Sequence, residues 1–226
     1  MELLGRSSWA MRALAAAAAL SLAAAPAAAE TGAASGKVPG KVNPYGLTTY
    51  PDAQRACPHL PHGQFARCIA QADVLDAASR KARASGRRVL VLVGADWCVW
   101  CVVLNRYIDG WNDPAMEPMA AGTAGDADNL ARFVARNFVV AELNADSTDI
   151  QDALKRAQLQ PDQVKELPAA FVVSHGSVDV VRLSRAELPK NVGFRGYSRM
   201  ALLRILRETM ALAEADTPAG PRALGD

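Results

Sequence analysis

The sequence predicts an α/β domain, a central mixed sheet of about four strands flanked by helices, behind an N-terminal extension. Three observations carry that expectation. Continuous apolar runs at Arg88–Gly94 and Phe138–Leu143 read as strands buried on both faces. Helical periods precede, separate and follow them. Two further apolar runs, Ala169–Val173 and Val178–Leu183, flank His175-Gly176, a turn pair that marks a hairpin.

In chain order, Ile69–Ser85 carries Ile69, Ala72, Leu75, Ala78 and Ala82 on a helical period, with Gly86 as its stop. Arg88–Gly94 is the first strand, and Cys98–Ile108 reads as a helix just after it. Asp113-Pro114 opens a helical turn near Met116–Ala120. Gly122–Asp126 reads as a loop and Asn129–Arg136 as a short helix. Phe138–Leu143 is the second strand, and Asp149–Leu159 a helix that Pro161 ends. The hairpin follows, then an irregular stretch at Leu188–Gly193. Ser198 is placed to cap a last helix, whose Leu202, Leu203, Ile205, Leu206 and Met210 face the sheet. The first half thus makes a right-handed parallel crossover, and the second adds an antiparallel hairpin.

Residues 1–29 have the anatomy of a secretory signal peptide. Arg6 and Arg12 make a mildly basic start, Ala13–Ala25 is apolar, and Ala27 and Ala29 form a small-x-small cleavage pattern before Glu30. An uncleaved anchor is the alternative, although the stretch is short and alanine-rich for a bilayer span. The expected location is therefore periplasmic or secreted. Residues 30–44 read as a flexible leader, 45–69 as the extension, 70–214 as the domain and 215–226 as a disordered tail. A net charge of +2 over 226 residues argues against a dedicated nucleic-acid surface. No long apolar segment follows the signal, so no membrane span is expected after cleavage. Phosphate-cradling and dinucleotide glycine patterns are absent, Ser174 and Ser177 have no base partner, and His175 reads as a turn residue. Without a sustained heptad, a monomer is expected.

The four cysteines fall into two local pairs, Cys57 with Cys68 and Cys98 with Cys101. In an exported protein thiols tend to be oxidised. A Cys57–Cys68 disulfide would pin the N-terminal segment to the first helix, stabilising by about 3 kcal/mol on the chain-entropy model. Two other readings remain open: a zinc site with His59 and His62, whose spacing matches no common finger, and a shuttle that exchanges with the second pair.

Cys98-Val99-Trp100-Cys101 lies where a strand gives way to a helix. Free N–H groups and partial positive charge there favour a thiolate at Cys98. Cys98 is thus the expected nucleophile and Cys101, one turn later, the resolving thiol. Trp97 and Trp100 are placed to pack beside the sulfurs and to meet a partner. No metal and no organic cofactor is required for this chemistry.

The element order, the cysteine pair at the first strand-to-helix turn, and Leu167-Pro168-Ala169 before a strand resemble the thioredoxin fold over about Ala70–Thr209. The resemblance implies a cis peptide before Pro168, facing the cysteines, with Leu167 as the neighbouring partner contact. The string Ala95–Cys101, then Asp113-Pro114 and Gly196-Tyr197, is most similar to the C-terminal periplasmic domain of the DsbD family of thiol–disulfide interchange proteins and its stand-alone relatives. Those relatives mostly pass reducing equivalents to oxidised periplasmic proteins. Two family acids are missing: Leu92 stands six residues before Cys98, and Asn105 seven after it. Glu142 on the neighbouring strand is the candidate proton acceptor, its alternative role being a solvated charge at a strand edge. Asp96 reads as an exposed charge.

The expected function is that of an exported protein-disulfide oxidoreductase acting as a reductant. Its partners would be disulfide-containing or dithiol proteins and an upstream thiol donor. The alternatives are a disulfide oxidase or isomerase, and a non-catalytic peptide-binding module of the same fold.

Overall fold

The computed structural model describes residues 38–60, 63, 65–110, 124–160, 162, 164, 166–174, 181–183 and 196–215. The expected signal peptide, His62, the segment Asp113–Gly122, Pro161, the turn from His175 to Ser177, Leu188–Gly193 and the tail beyond Ala215 lie outside them.

The elements in order are β1 (Lys41–Val42), β2 (Thr48–Tyr50), α1 (Ala53–Ala56), α2 (Gln71–Ala84), β3 (Arg88–Gly94), α3 (Val99–Ile108), α4 (Ala124–Asn137), β4 (Phe138–Asn144), α5 (Ile150–Arg156), β5 (Ala169–Val173), β6 (Val181–Leu183) and α6 (Arg199–Ala215). They form one six-stranded sheet in the order β1-β2-β4-β3-β5-β6. β3 and β4 run parallel, with Leu92 opposite Glu142, and β5 lies antiparallel on the other side of β3. The parallel pairing of β3 with β4 and the antiparallel pairing of β5 with β6 are as expected.

Alternate residues of β3 and β4 point to opposite faces, and helices cover both. Val89, Val91, Val93, Val139, Ala141 and Leu143 pack with residues of α2 and α5. Leu90, Leu92, Phe138 and Val140 pack with Leu104 and Ile108 of α3, Leu130 and Val134 of α4, and Leu202 and Leu206 of α6. Burial on both faces explains why these strands read as unbroken apolar runs rather than alternating ones.

Helix ends follow local chemistry. Gly86 has φ +63° and lets the backbone turn out of α2, its N–H bonding the Arg83 carbonyl at 3.3 Å while that of Arg87 bonds Ala82 at 2.9 Å. Ser198 Oγ accepts from the Ala201 N–H at 3.3 Å and caps α6. Helix α4 begins at Ala124, inside the stretch expected to be a loop. Ala127, Leu130, Ala131 and Val134 form a buried stripe that draws the helix upstream, and Gly125 faces open space.

The largest correction is at the N-terminus. The leader expected through residue 44 already contains β1, and Val38 is buried in the core. β2 pairs parallel with β4 (Thr49 opposite Val140, Tyr50 opposite Ala141), so six strands stand where about four were expected. These strands are too short for period-2 patterning to reveal them. Their place is held by Asn43, whose Oδ1 accepts from the N–H groups of Tyr45 and Leu47, both at 3.0 Å.

Candidate functional site

Strand β3 ends at Gly94, and the chain turns through Ala95, Asp96 and Trp97 into α3. Cys98 is the N-cap of that helix, and its Sγ accepts from the Cys101 N–H at 3.2 Å. Cys98 and Cys101 are joined in a disulfide across a separation of three residues. One turn of helix and the end of a buried strand thus place both sulfurs at the positive end of α3. Cys98 keeps 7% of its surface exposed, whereas Cys101 keeps none. Of the two, only Cys98 presents an edge to an incoming molecule.

The sulfurs lie in a small apolar cluster of Phe65, Ala95, Cys98 and Cys101, with Trp100 and Leu167 packed against it. Trp100 is held from behind: its ring is 5.4 Å from that of Tyr197, which meets Tyr107 edge-on at 6.5 Å. The Arg199 guanidinium stacks 3.9 Å over the Tyr107 ring and closes the row. Leu167–Pro168 is a cis peptide, Pro168 is buried, and β5 begins at the next residue.

Trp97 departs from expectation. It is 65% exposed rather than packed on the sulfurs, and its Nε1 donates to Asp146 Oδ2 at 2.9 Å. Beside it, Val99 is also exposed. The residue that covers the cysteines is Phe65, from the loop closed by the Cys57–Cys68 disulfide. Its one sequence signal was being the only aromatic ring of Phe, Tyr or Trp type in that loop. Cys57 and Cys68 are bonded to each other and His59 is exposed.

Asp96 departs as well. It is half-buried, and its Oδ1 accepts from the Phe65 N–H at 3.2 Å. Gly63 lies so close to its carboxylate that a side chain there would collide with it.

Glu142 is 3% exposed in the body of the sheet, because β2 covers the side of β4 that would have been an edge. The solvated-edge reading is therefore overturned. Burial pushes its carboxyl up to about 8; the Lys41 ammonium opposes that shift, while Asp109 and Asp96 add to it. Lys41 donates to Asp109 Oδ2 at 2.9 Å; burial lowers its pKa, but Glu142, Asp109 and Asp52 together outweigh burial and raise it. Leu92 lies beside Glu142 across the sheet and is buried in the apolar layer. Asn105, one turn beyond Cys101 on α3, is buried, and its Nδ2 has no hydrogen-bond partner among the described residues.

The arrangement is that of a thioredoxin-like domain: a mixed sheet between helices, with a cysteine pair opening the helix after a central strand. A thioredoxin-like family model matches residues 70–124, which span α2, β3 and the cysteine-bearing helix α3. The match supports the thioredoxin-like superfamily and a redox-type oxidoreductase activity at that general level. No curated protein and no solved structure matches the chain. Among the described residues, no helix is long and apolar enough to cross a membrane.

Proposed function

We propose that this protein is an exported thiol–disulfide oxidoreductase that reduces disulfides in partner proteins. One observation carries the reading: the Cys98–Cys101 disulfide at the start of α3, with a narrow edge of Cys98 open to solvent and Cys101 sealed beneath. The helix N-terminus favours a thiolate at Cys98, and Cys101 one turn later is placed to attack it in turn, which is the order that thiol–disulfide exchange requires.

In the reduced protein the Cys98 thiolate attacks one sulfur of a partner disulfide. That S–S bond breaks, and the departing partner thiolate takes up a proton. Cys101 then loses its proton and attacks Cys98 Sγ, expelling the second partner thiolate. The partner gains two electrons and two protons, and the Cys98–Cys101 disulfide re-forms. Glu142 is the proposed acceptor for the Cys101 proton, with Leu92 in the family's usual acidic position. Trp97, Trp100, Leu167 and Pro168 would line the path of the partner chain. An upstream thiol donor would restore the dithiol. The reductant direction and the periplasmic or secreted location rest on the resemblance to the DsbD domain and on the signal-like first 29 residues.

The test is reduction of insulin by the dithiol protein. Activity should be present in the wild type and fall to background in Cys98→Ser. Cys101→Ala should accumulate mixed disulfides with partners in the native compartment. Equal activity in Cys98→Ser would leave the peptide-binding module as the better reading.

A further inference from the structure

The Cys57–Cys68 loop does more than close on itself, because it brings Phe65 onto the redox pair. Phe65 is 2% exposed and shares a cluster with Cys98 and Cys101. Its ring occupies space left by Gly94. A methyl group on Gly94 would collide with that ring and lie 2.8 Å from the Cys101 Cβ.

The loop is anchored on both sides of that contact. The Phe65 N–H donates to Asp96 Oδ1 at 3.2 Å, and its carbonyl accepts from Asn144 Nδ2 at 3.3 Å. The Ala66 carbonyl accepts from Gln71 Nε2 at 3.1 Å, while Gln71 Oε1 accepts from the Asn144 N–H at 2.7 Å. Arg67 pairs with Asp146 at 3.8 Å, the carboxylate that also holds Trp97. The disulfide joins the two ends of the loop, Cys57 at the end of α1 and Cys68 shortly before α2.

We infer that Phe65 is a positioning residue for the redox pair, and that the Cys57–Cys68 disulfide sets the reducing strength of Cys98–Cys101 by holding Phe65 against Cys101. The inference rests on the proposed redox function. Its physical basis is solvation. An apolar cover denies the Cys101 S–H the solvation it would have in water, whereas the disulfide has no S–H to solvate. The cover therefore destabilises the dithiol relative to the disulfide, in a couple where the disulfide takes up two electrons and two protons to become two thiols. Destabilising the dithiol makes the pair a stronger reductant.

Two measurements on the full chain test this. In the first, the Cys98–Cys101 couple is equilibrated with glutathione buffers in wild type, Phe65→Ala, Phe65→Leu and Cys57→Ser/Cys68→Ser. Phe65→Ala and the double serine variant should favour the dithiol about tenfold more, which is about 30 mV for a two-electron couple. Phe65→Leu, which keeps an apolar cover, should stay near wild type. In the second, iodoacetamide modifies Cys101 in a Cys98→Ser background, where Cys101 is the one free thiol. Adding Phe65→Ala should speed that reaction about tenfold, since the thiolate is the reacting form.

An unchanged glutathione equilibrium and alkylation rate in Phe65→Ala would overturn the inference. A shift in Phe65→Ala without one in the double serine variant would overturn the part assigned to the Cys57–Cys68 disulfide. Both measurements are independent of insulin reduction, so failure of the proposed function and failure of this inference are separable.

Discussion

The two disulfides of this chain differ in every property that decides what a disulfide does. Cys57–Cys68 spans eleven residues, and Cys68 stands exposed in a loop. Cys98–Cys101 spans three, opens a helix after a central strand, and is covered on all but one edge. The first closes a loop large enough to constrain the unfolded chain. The second closes a ring of one helical turn, where a helix N-terminus favours the thiolate that its opening creates. Position and solvent access therefore divide one chemistry into two roles. The contact through Phe65 then makes the roles interdependent.

The comparison is broken most directly at Cys98. Cys98→Ser should abolish insulin reduction, whereas Cys57→Ser/Cys68→Ser should still turn over; equal loss in both would erase the distinction. Stability should show the reverse order. The double serine variant should lose about 3 kcal/mol on the chain-entropy model, measured by urea unfolding with the Cys98–Cys101 bond intact. A loss near zero would mean that the hydrogen bonds around Phe65 and Ala66 hold the loop without its covalent tie.

The third effect depends on pH. Glu142 has a carboxyl raised to about 8 in the folded protein, against 4.5 as its ordinary value. A buried acid raised in this way holds its proton more tightly when folded. Its contribution is fully present below about pH 4.5 and is lost as pH rises towards 8. The slope approaches about 1.4 kcal/mol per pH unit within that window. Glu142→Gln should flatten this decline and be the more stable protein at pH 8, by urea midpoints taken across the range. A matching decline in the variant would assign it to other groups.

The smallest effect concerns the rim. Trp97→Phe removes the hydrogen bond to Asp146 and leaves an exposed ring, which should cost about 0.5–1.5 kcal/mol or less. Its influence should instead appear in the KM for a protein substrate. A change in kcat at constant KM would place Trp97 closer to the chemistry than its exposure suggests.

Much of this architecture could be read from the residues. Arg88–Gly94 and Phe138–Leu143 announce themselves because strands buried on both faces need unbroken apolar runs. The cysteine pair is legible because its setting, strand then helix, is local in sequence. What was hidden depends on contacts between distant segments. β1 and β2 are too short to carry a period, and only the pairing of β2 with β4 and of β1 with β2 makes them strands. Phe65 reaches the sulfurs from more than thirty positions away, and its neighbours in the loop have no pattern that points there. Glu142 looked like an edge charge because the strand that buries it was itself unread. Asp96 likewise looked exposed until the loop that wraps it was in view.

The addition of β2 has a consequence for how the molecule meets other copies of itself. Without it, the seven-residue strand Phe138–Asn144, apolar over Phe138–Ala141, would present a border of unpaired N–H and C=O groups. Such a border is a template for β-pairing between chains and for aggregation. β2 covers the middle of that border, pairing at Val140 and Ala141, and β1 ends the sheet beyond it with two residues, one of them Lys41, shortly before Pro44. Short length, a lysine and a nearby proline all discourage further strand addition. The segment before the cysteine loop thus leaves the sheet ending on a two-residue strand, a feature separate from any chemistry at the sulfurs.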